Sequence, residues 1–114
     1  MTTGPKFQIE VGSFGNARLV TVSGEIDLAA APQLADALSA EPEEVTIADL
    51  RDVGFIDSTG LRSLMTAQDK VTGAGGRLAL VFGEGPVERI LDLTRLTDRF
   101  EVFASPEDAA QALG

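Results

Sequence analysis

Two short runs, Val45–Leu50 (VTIADL) and Leu78–Phe82 (LALVF), carry apolar residues at both odd and even positions. A strand of that kind needs cover on both faces, the condition of a parallel strand buried between helices. The first strand signal is different. Phe7, Ile9 and Val11 alternate with Lys6, Gln8 and Glu10, the period of a half-buried strand with one wet face. Gly12-Ser13-Phe14-Gly15-Asn16 follows, and then the β-rich run Ala17–Ser23. This pattern predicts an antiparallel hairpin closed by a five-residue loop.

Helical signals separate the remaining strands. Gly24-Glu25-Ile26-Asp27 breaks the second strand, and Ala31, Leu34, Ala35 and Leu38 then recur at i, i+3, i+4 and i+7. Pro32 suits the first turn of that helix. After Val45–Leu50, Arg51–Ile56 reads as a loop leading into a helix with Leu61, Leu64, Met65 and Val71 on one side. Gly73-Ala74-Gly75-Gly76 stops it. A third helix places Val87, Ile90 and Leu91 inward, and Phe100–Phe103 is a short strand. Ser105-Pro106 opens a last helix, with a serine cap, proline at the first helical position and Asp108 three residues past the cap. The order β-β-α-β-α-β-α-β-α predicts an α/β fold: a mixed sheet opened by a hairpin and continued by right-handed crossovers, with helices packed on it. The 114 residues suffice for a single domain, 1–114, with residues 1–5 expected to be flexible.

Composition removes several classes of function. The chain has no His and no Cys. That excludes Ser-His-Asp catalysis, thiolate nucleophiles, disulfides, and imidazole or Cys-type metal sites. The formal charge of −9 opposes binding to nucleic acid or to an anionic membrane. No stretch has the make-up of a signal peptide or a spanning helix, so a cytoplasmic protein is expected. No long exposed apolar helix face calls for an oligomer, so a monomer is expected, and no cofactor is expected.

Two further patterns are weak as chemistry. Gly73–Arg77 lies between a helix and a strand, whereas phosphate loops follow a strand and open a helix. Gly83-Glu84-Gly85-Pro86 lies between strand and helix but lacks the Lys and Ser/Thr of a nucleotide site; both read as turns. The carboxylates Glu25, Asp27, Asp49, Asp52 and Asp57 suggest a hydrolase or a Mg²⁺ site only in outline. With 18 acids in the chain, chance pairs are common, and most read as solvated surface.

The run Asp49–Leu61 (DLRDVGFIDSTGL) is more informative. Asp57, Ser58 or Thr59 can each cap the helix that begins there. Two adjacent hydroxyls nevertheless exceed what one cap requires. A phosphate on Ser58 would meet a helix N-terminus, which tolerates negative charge. It would also add about −1.5 to −2 charges at that surface.

Gly24-Glu25-Ile26-Asp27, Ala48-Asp49-Leu50 and Phe55–Leu61 (FIDSTGL) together resemble the bacterial anti-sigma-factor antagonists of the STAS-domain family, and the resemblance spans nearly the whole chain. It implies a regulatory binding module and not an enzyme. The serine matching Ser58 is expected to be phosphorylated by the partner anti-sigma factor, an ATP-dependent serine kinase. Thr59 is the alternative acceptor. The unphosphorylated form would bind the kinase and free its sigma factor; phosphorylation would end binding, and a phosphatase would restore it. Asp27 and Asp57 match the acidic positions around the serine, and Asp49 matches the strand-end acid. Their implied roles are to orient the hydroxyl and shape a docking surface that includes Thr59 and Gly60. Arg62 stands where many relatives have a small residue; it reads as an exposed helix residue, with a phosphate or partner acids as its other possible contacts. The second reading is a soluble STAS subunit of a transporter complex.

Overall fold

The computed structural model describes residues 7–113, so the expectation for residues 1–5 lies outside it. β1 (Phe7–Phe14) and β2 (Ala17–Ile26) form the antiparallel hairpin, with Phe14 opposite Ala17. The loop is two residues, Gly15-Asn16, instead of five, because Gly12–Phe14 prolong β1. Gly15 has φ +63°, the positive φ that a two-residue turn with glycine first demands.

The chain continues through α1 (Ala31–Leu38), β3 (Val45–Ile56), α2 (Ser58–Gly73), β4 (Arg77–Val81) and α3 (Pro86–Thr94). A 3₁₀ turn, β5 (Glu101–Phe103) and α4 (Pro106–Leu113) complete it. The sheet order is β1-β2-β3-β4-β5, and every pair from β2 onward is parallel. Each crossover therefore advances one strand in the same direction. Crossovers of one hand then put α1, α2 and α3 on one face. Leu34, Leu38, Leu61, Leu64, Val87 and Leu91 from these helices pack there on Val20, Val22, Ala48, Leu50, Leu78 and Leu80. α4 follows the last strand and covers the other face, where Ala109 packs with Ala17, Ile47, Ala79 and Val81. The doubly apolar runs thus find cover on both sides, as their pattern demands, and Thr46–Leu50 and Leu78–Val81 are buried throughout.

Two expectations change. Gly24-Glu25-Ile26 does not break β2; it continues the strand to Ile26. Arg51–Ile56 is not a loop; it prolongs β3 to twelve residues. The extension pairs with β2 alone, because β4 accompanies only Val45–Asp49. Two bulges make this possible. Between Thr21 and Ser23 of β2, β3 advances from Asp49 to Asp52, and between Gly24 and Glu25 it advances from Val53 to Phe55. Each bulge inserts one residue and rephases the side chains. Leu50, Val53 and Ile56 consequently all reach the core at intervals of three instead of two. The result brings Ile26 opposite Ile56, so β2 and β3 end side by side where α2 begins.

Candidate functional site

The ends of β2 and β3 are tied to the start of α2 by backbone. Asp57 N–H donates to the Ile26 carbonyl at 3.3 Å. The Asp57 side chain caps α2: Oδ1 accepts from Gly60 N–H at 2.9 Å, and Asp57 itself stays extended at φ −110°. Of the three candidate caps, Asp57 is the one used. Ser58 and Thr59 are therefore released from capping, and neither hydroxyl hydrogen-bonds to any other described residue. Ser58 is exposed on the first turn of α2, and Thr59 is half-buried.

Gly60 is required by close approach. A Cβ at this position would sit 2.7 Å from the Ile26 carbonyl oxygen and 2.8 Å from both Ile26 Cγ2 and Ile56 Cγ1. The helix start is thus pressed directly onto the strand ends. Asp27, the residue after β2, has a separate duty. Its Oδ1 accepts from the N–H groups of Ala29 and Ala30, both at 3.1 Å, and fixes the turn into α1. Asp27, Asp57, Ser58, Thr59 and Gly60 are accordingly gathered at one end of the sheet, and Arg62 projects from the next turn of α2. Arg62 is exposed and forms no ion pair with a described residue.

Asp49 is not part of this group. The sequence places it at the end of its strand, but it is the fifth of twelve residues in β3, separated from Asp57 by roughly 26 Å of extended chain. It faces the α4 side, opposite in phase to Ala48 and Leu50. At 8% exposure its carboxylate is nearly buried, and Arg51 holds it through Nε at 2.9 Å and Nη2 at 2.7 Å. That hydrogen bond raises the Arg51 pKa above its ordinary value. Burial opposes the rise, and the charges of Asp49, Glu107 and Asp52 add to it. The pair is a local clamp on the sheet.

Two residues beyond the candidates belong to the surface. Leu28, 73% exposed, follows Asp27, and Phe55, 46% exposed, precedes the α2 cap by two residues. In the sequence their signal is a large apolar residue beside a turn-forming neighbour, Asp27 before Leu28 and Gly54 before Phe55. Leu28, Pro32 and Ala35 on the α1 side and Thr59, Arg62 and Thr66 on α2 line an open groove of about 210 Å³. A second depression of about 410 Å³ runs along α2 through Ser58, Arg62 and Asp69. The cavity of about 270 Å³ at the hairpin turn, walled by Phe14, Ala17, Val45 and Ala110, includes none of these residues and no charged group.

Among the described residues no cluster of three or more metal-ligating side chains occurs, and no helix is long and apolar enough to cross a membrane. The arrangement presents an exposed, uncommitted hydroxyl beside carboxylates and apolar side chains. Among the described residues no side chain hydrogen-bonds to that hydroxyl.

The model of the STAS domain matches residues 8–109. The anti-sigma-B factor antagonist of Bacillus subtilis (strain 168) is 34% identical over 107 residues, covering 90% of this chain and 96% of its own. The anti-sigma-F factor antagonist RsfB of Mycobacterium tuberculosis is 26% identical over 112 residues, covering 96% and 91%. The crystal structure of an anti-sigma factor antagonist from Mycobacterium paratuberculosis superposes with a TM-score of 0.83 at 28% identity, over 99% of this chain and 98% of that one. These relatives are named for antagonism, and none is named for a reaction. The chain belongs to the STAS domain family, and its described residues form an α/β domain with a five-stranded mixed sheet and four α-helices.

Proposed function

We propose that this protein is an anti-sigma-factor antagonist whose unphosphorylated form captures an anti-sigma factor with serine kinase activity, so that the sigma factor is released. The docking surface is the end of the sheet where Asp27, Asp57, Ser58, Thr59, Gly60 and Arg62 meet, flanked by the exposed side chains of Leu28 and Phe55. The observation that carries the proposal is the state of Ser58: exposed at the first turn of α2, with the cap supplied by Asp57, so its hydroxyl has no structural task.

The partner supplies the catalysis and the ATP. Ser58 Oγ attacks the γ-phosphorus, the Oγ–P bond forms as the bond to ADP breaks, and the hydroxyl proton passes to a base of the kinase. Hydrolysis by a phosphatase returns the serine and inorganic phosphate. The new dianion stands beside Asp57 and Asp27, in a chain already at −9. Burying it in an interface costs its desolvation, which a partner surface without a cation to meet it does not offset. A loss of about 4 kcal/mol weakens binding about a thousandfold, enough for a switch.

The test is incubation with the cognate anti-sigma factor and ATP, followed by phosphate mapping by mass spectrometry. Modification of Ser58 with loss of the complex is the expected result. No complex and no modification at Ser58 overturns the proposal, and modification at Thr59 alone moves the switch by one residue.

A further inference from the structure

We infer that a phosphate on Ser58 is captured in cis by Arg62, so that phosphorylation adds a dianion to the docking surface and removes the cation from it in one step. The inference rests on Ser58 being the modified residue. Its basis is placement on α2. Ser58 and Arg62 are four residues apart on an α-helix that runs unbroken from Ser58 to Gly73, so they project from one face, one turn apart. Both line the same depression on that face. The polarity is the favourable one, with the anion toward the helix N-terminus and the cation toward the C-terminus. The guanidinium is free to respond: Arg62 is exposed and has neither an ion pair nor a side-chain hydrogen bond to a described residue.

The competing charges are named easily. Asp57 spends Oδ1 on the Gly60 N–H, and Asp27 spends Oδ1 on Ala29 and Ala30. Asp69, farther along the same depression, lies 4.0 Å from Arg99. A phosphoserine dianion carries more charge than any of these carboxylates and three acceptor oxygens for the planar guanidinium fork. Arg62 is the only cation among the candidate site residues, and it also lines the groove between α1 and α2. In the unmodified protein it is available to an acidic group on a partner. Drawn to the phosphate, it is less available.

The experiment uses the full chain with phosphoserine installed at position 58 during synthesis, so no kinase is involved. The second ionisation of the phosphate, ordinarily near pH 6, is followed by ³¹P NMR in wild type, Arg62→Gln and Arg62→Lys. The expected midpoint is lower in wild type than in Arg62→Gln by roughly 0.2–0.4 pH unit, the size of an exposed i,i+4 ion pair. Arg62→Lys should fall between them, since it keeps the charge and loses the fork. The difference should vanish as ionic strength rises from about 0.01 M to about 1 M, where the Debye length shrinks from about 30 Å to 3 Å. A second reading needs no variant: the Arg62 Nε–H signal of the wild-type protein should shift on phosphorylation. Identical midpoints in all three proteins, or an Arg62 signal indifferent to the phosphate, overturn the inference. Neither result touches the proposed function, which fails separately if the kinase leaves Ser58 unmodified.

Discussion

Gly60→Ala is the smallest change that should disturb both the fold and the switch. The added methyl has no room. It would stand 2.7 Å from the Ile26 carbonyl oxygen and 2.8 Å from Ile26 Cγ2 and Ile56 Cγ1. Two of these atoms belong to buried side chains, and the third is backbone in a paired strand, so none can swing aside. Overpacking of this kind costs about 1–3 kcal/mol, and backbone involvement places it at the upper end. Alanine is the better helix former by up to about 1 kcal/mol, which offsets part of that. The net expectation is about 2 kcal/mol. For a chain near 100 residues each kcal/mol lowers the melting temperature by about 4 °C, so a drop of roughly 8 °C should appear in thermal denaturation followed by circular dichroism. Gly54→Ala is the control: the same substitution six residues earlier, where a Cβ meets nothing within 4 Å. If Gly60→Ala melts within about 1 °C of Gly54→Ala, the close approach of α2 to the strand ends is not real. The site built upon that approach then falls with it.

Asp57→Ala removes the N-cap and should cost about 1 kcal/mol, read as a melting shift of about 4 °C, with Asp57→Asn recovering most of it. Ser58→Asp and Ser58→Ala should both melt as wild type, since Ser58 is exposed and unbonded, while only Ser58→Asp weakens capture of the anti-sigma factor; equal affinities in a titration would refute the charge mechanism. Arg51→Met should cost about 1–2 kcal/mol, because it strips the cation from a carboxylate that is only 8% exposed. Asp49→Leu in the same chain should restore much of that loss, with a coupling near 1 kcal/mol in a double-mutant cycle, kept modest because Arg51 itself is 48% exposed. The raised Arg51 pKa makes this contribution independent of pH over the neutral range. A basic group held above its unfolded value stabilises fully below that value and loses the effect only as pH climbs through the folded one. The Arg51→Met difference in melting should accordingly be the same at pH 6 and pH 9.

The strand and helix order was legible because burial imposes period. Val45–Leu50 and Leu78–Phe82 announced two-sided cover, and the structure supplies it with three helices on one face and one on the other. The second half of β3 was illegible for an equally physical reason. Its bulges set Leu50, Val53 and Ile56 at intervals of three, and between them stand Arg51, Asp52 and Gly54, which in a flat strand would signal a loop. The same misreading displaced Asp49. A strand that ended at Leu50 would have put Asp49 near Ser58, whereas a strand that runs to Ile56 leaves it on the α4 face with Arg51. At the site, the motif narrowed the cap to three residues but could not choose among them. The choice depends on which backbone is extended, and the pairing of Ile26 with Ile56 settles that by holding Asp57 outside the helix.

The division of labour along Asp57-Ser58-Thr59-Gly60 explains why a phosphate can act here without unfolding the protein. Asp57 satisfies the backbone of the first turn, and Gly60 admits the strand ends. Thr59 is half-buried along the groove. Ser58 alone is left with no bond to keep and no space to fill. A group added to it changes the surface by about two charges and leaves every packing contact of α2 in place. Had Ser58 been the cap, phosphorylation would have traded a stabilising hydrogen bond for a charge, and the switch would have been coupled to the stability of α2. With Asp57 as the cap the two are separable. A phosphorylated chain should therefore be no less stable than the unmodified one, since a dianion at the start of α2 and an i,i+4 pair with Arg62 both favour the helix, while its capture of the anti-sigma factor falls by orders of magnitude. A loss of stability that tracks the loss of binding would show instead that the serine holds the helix.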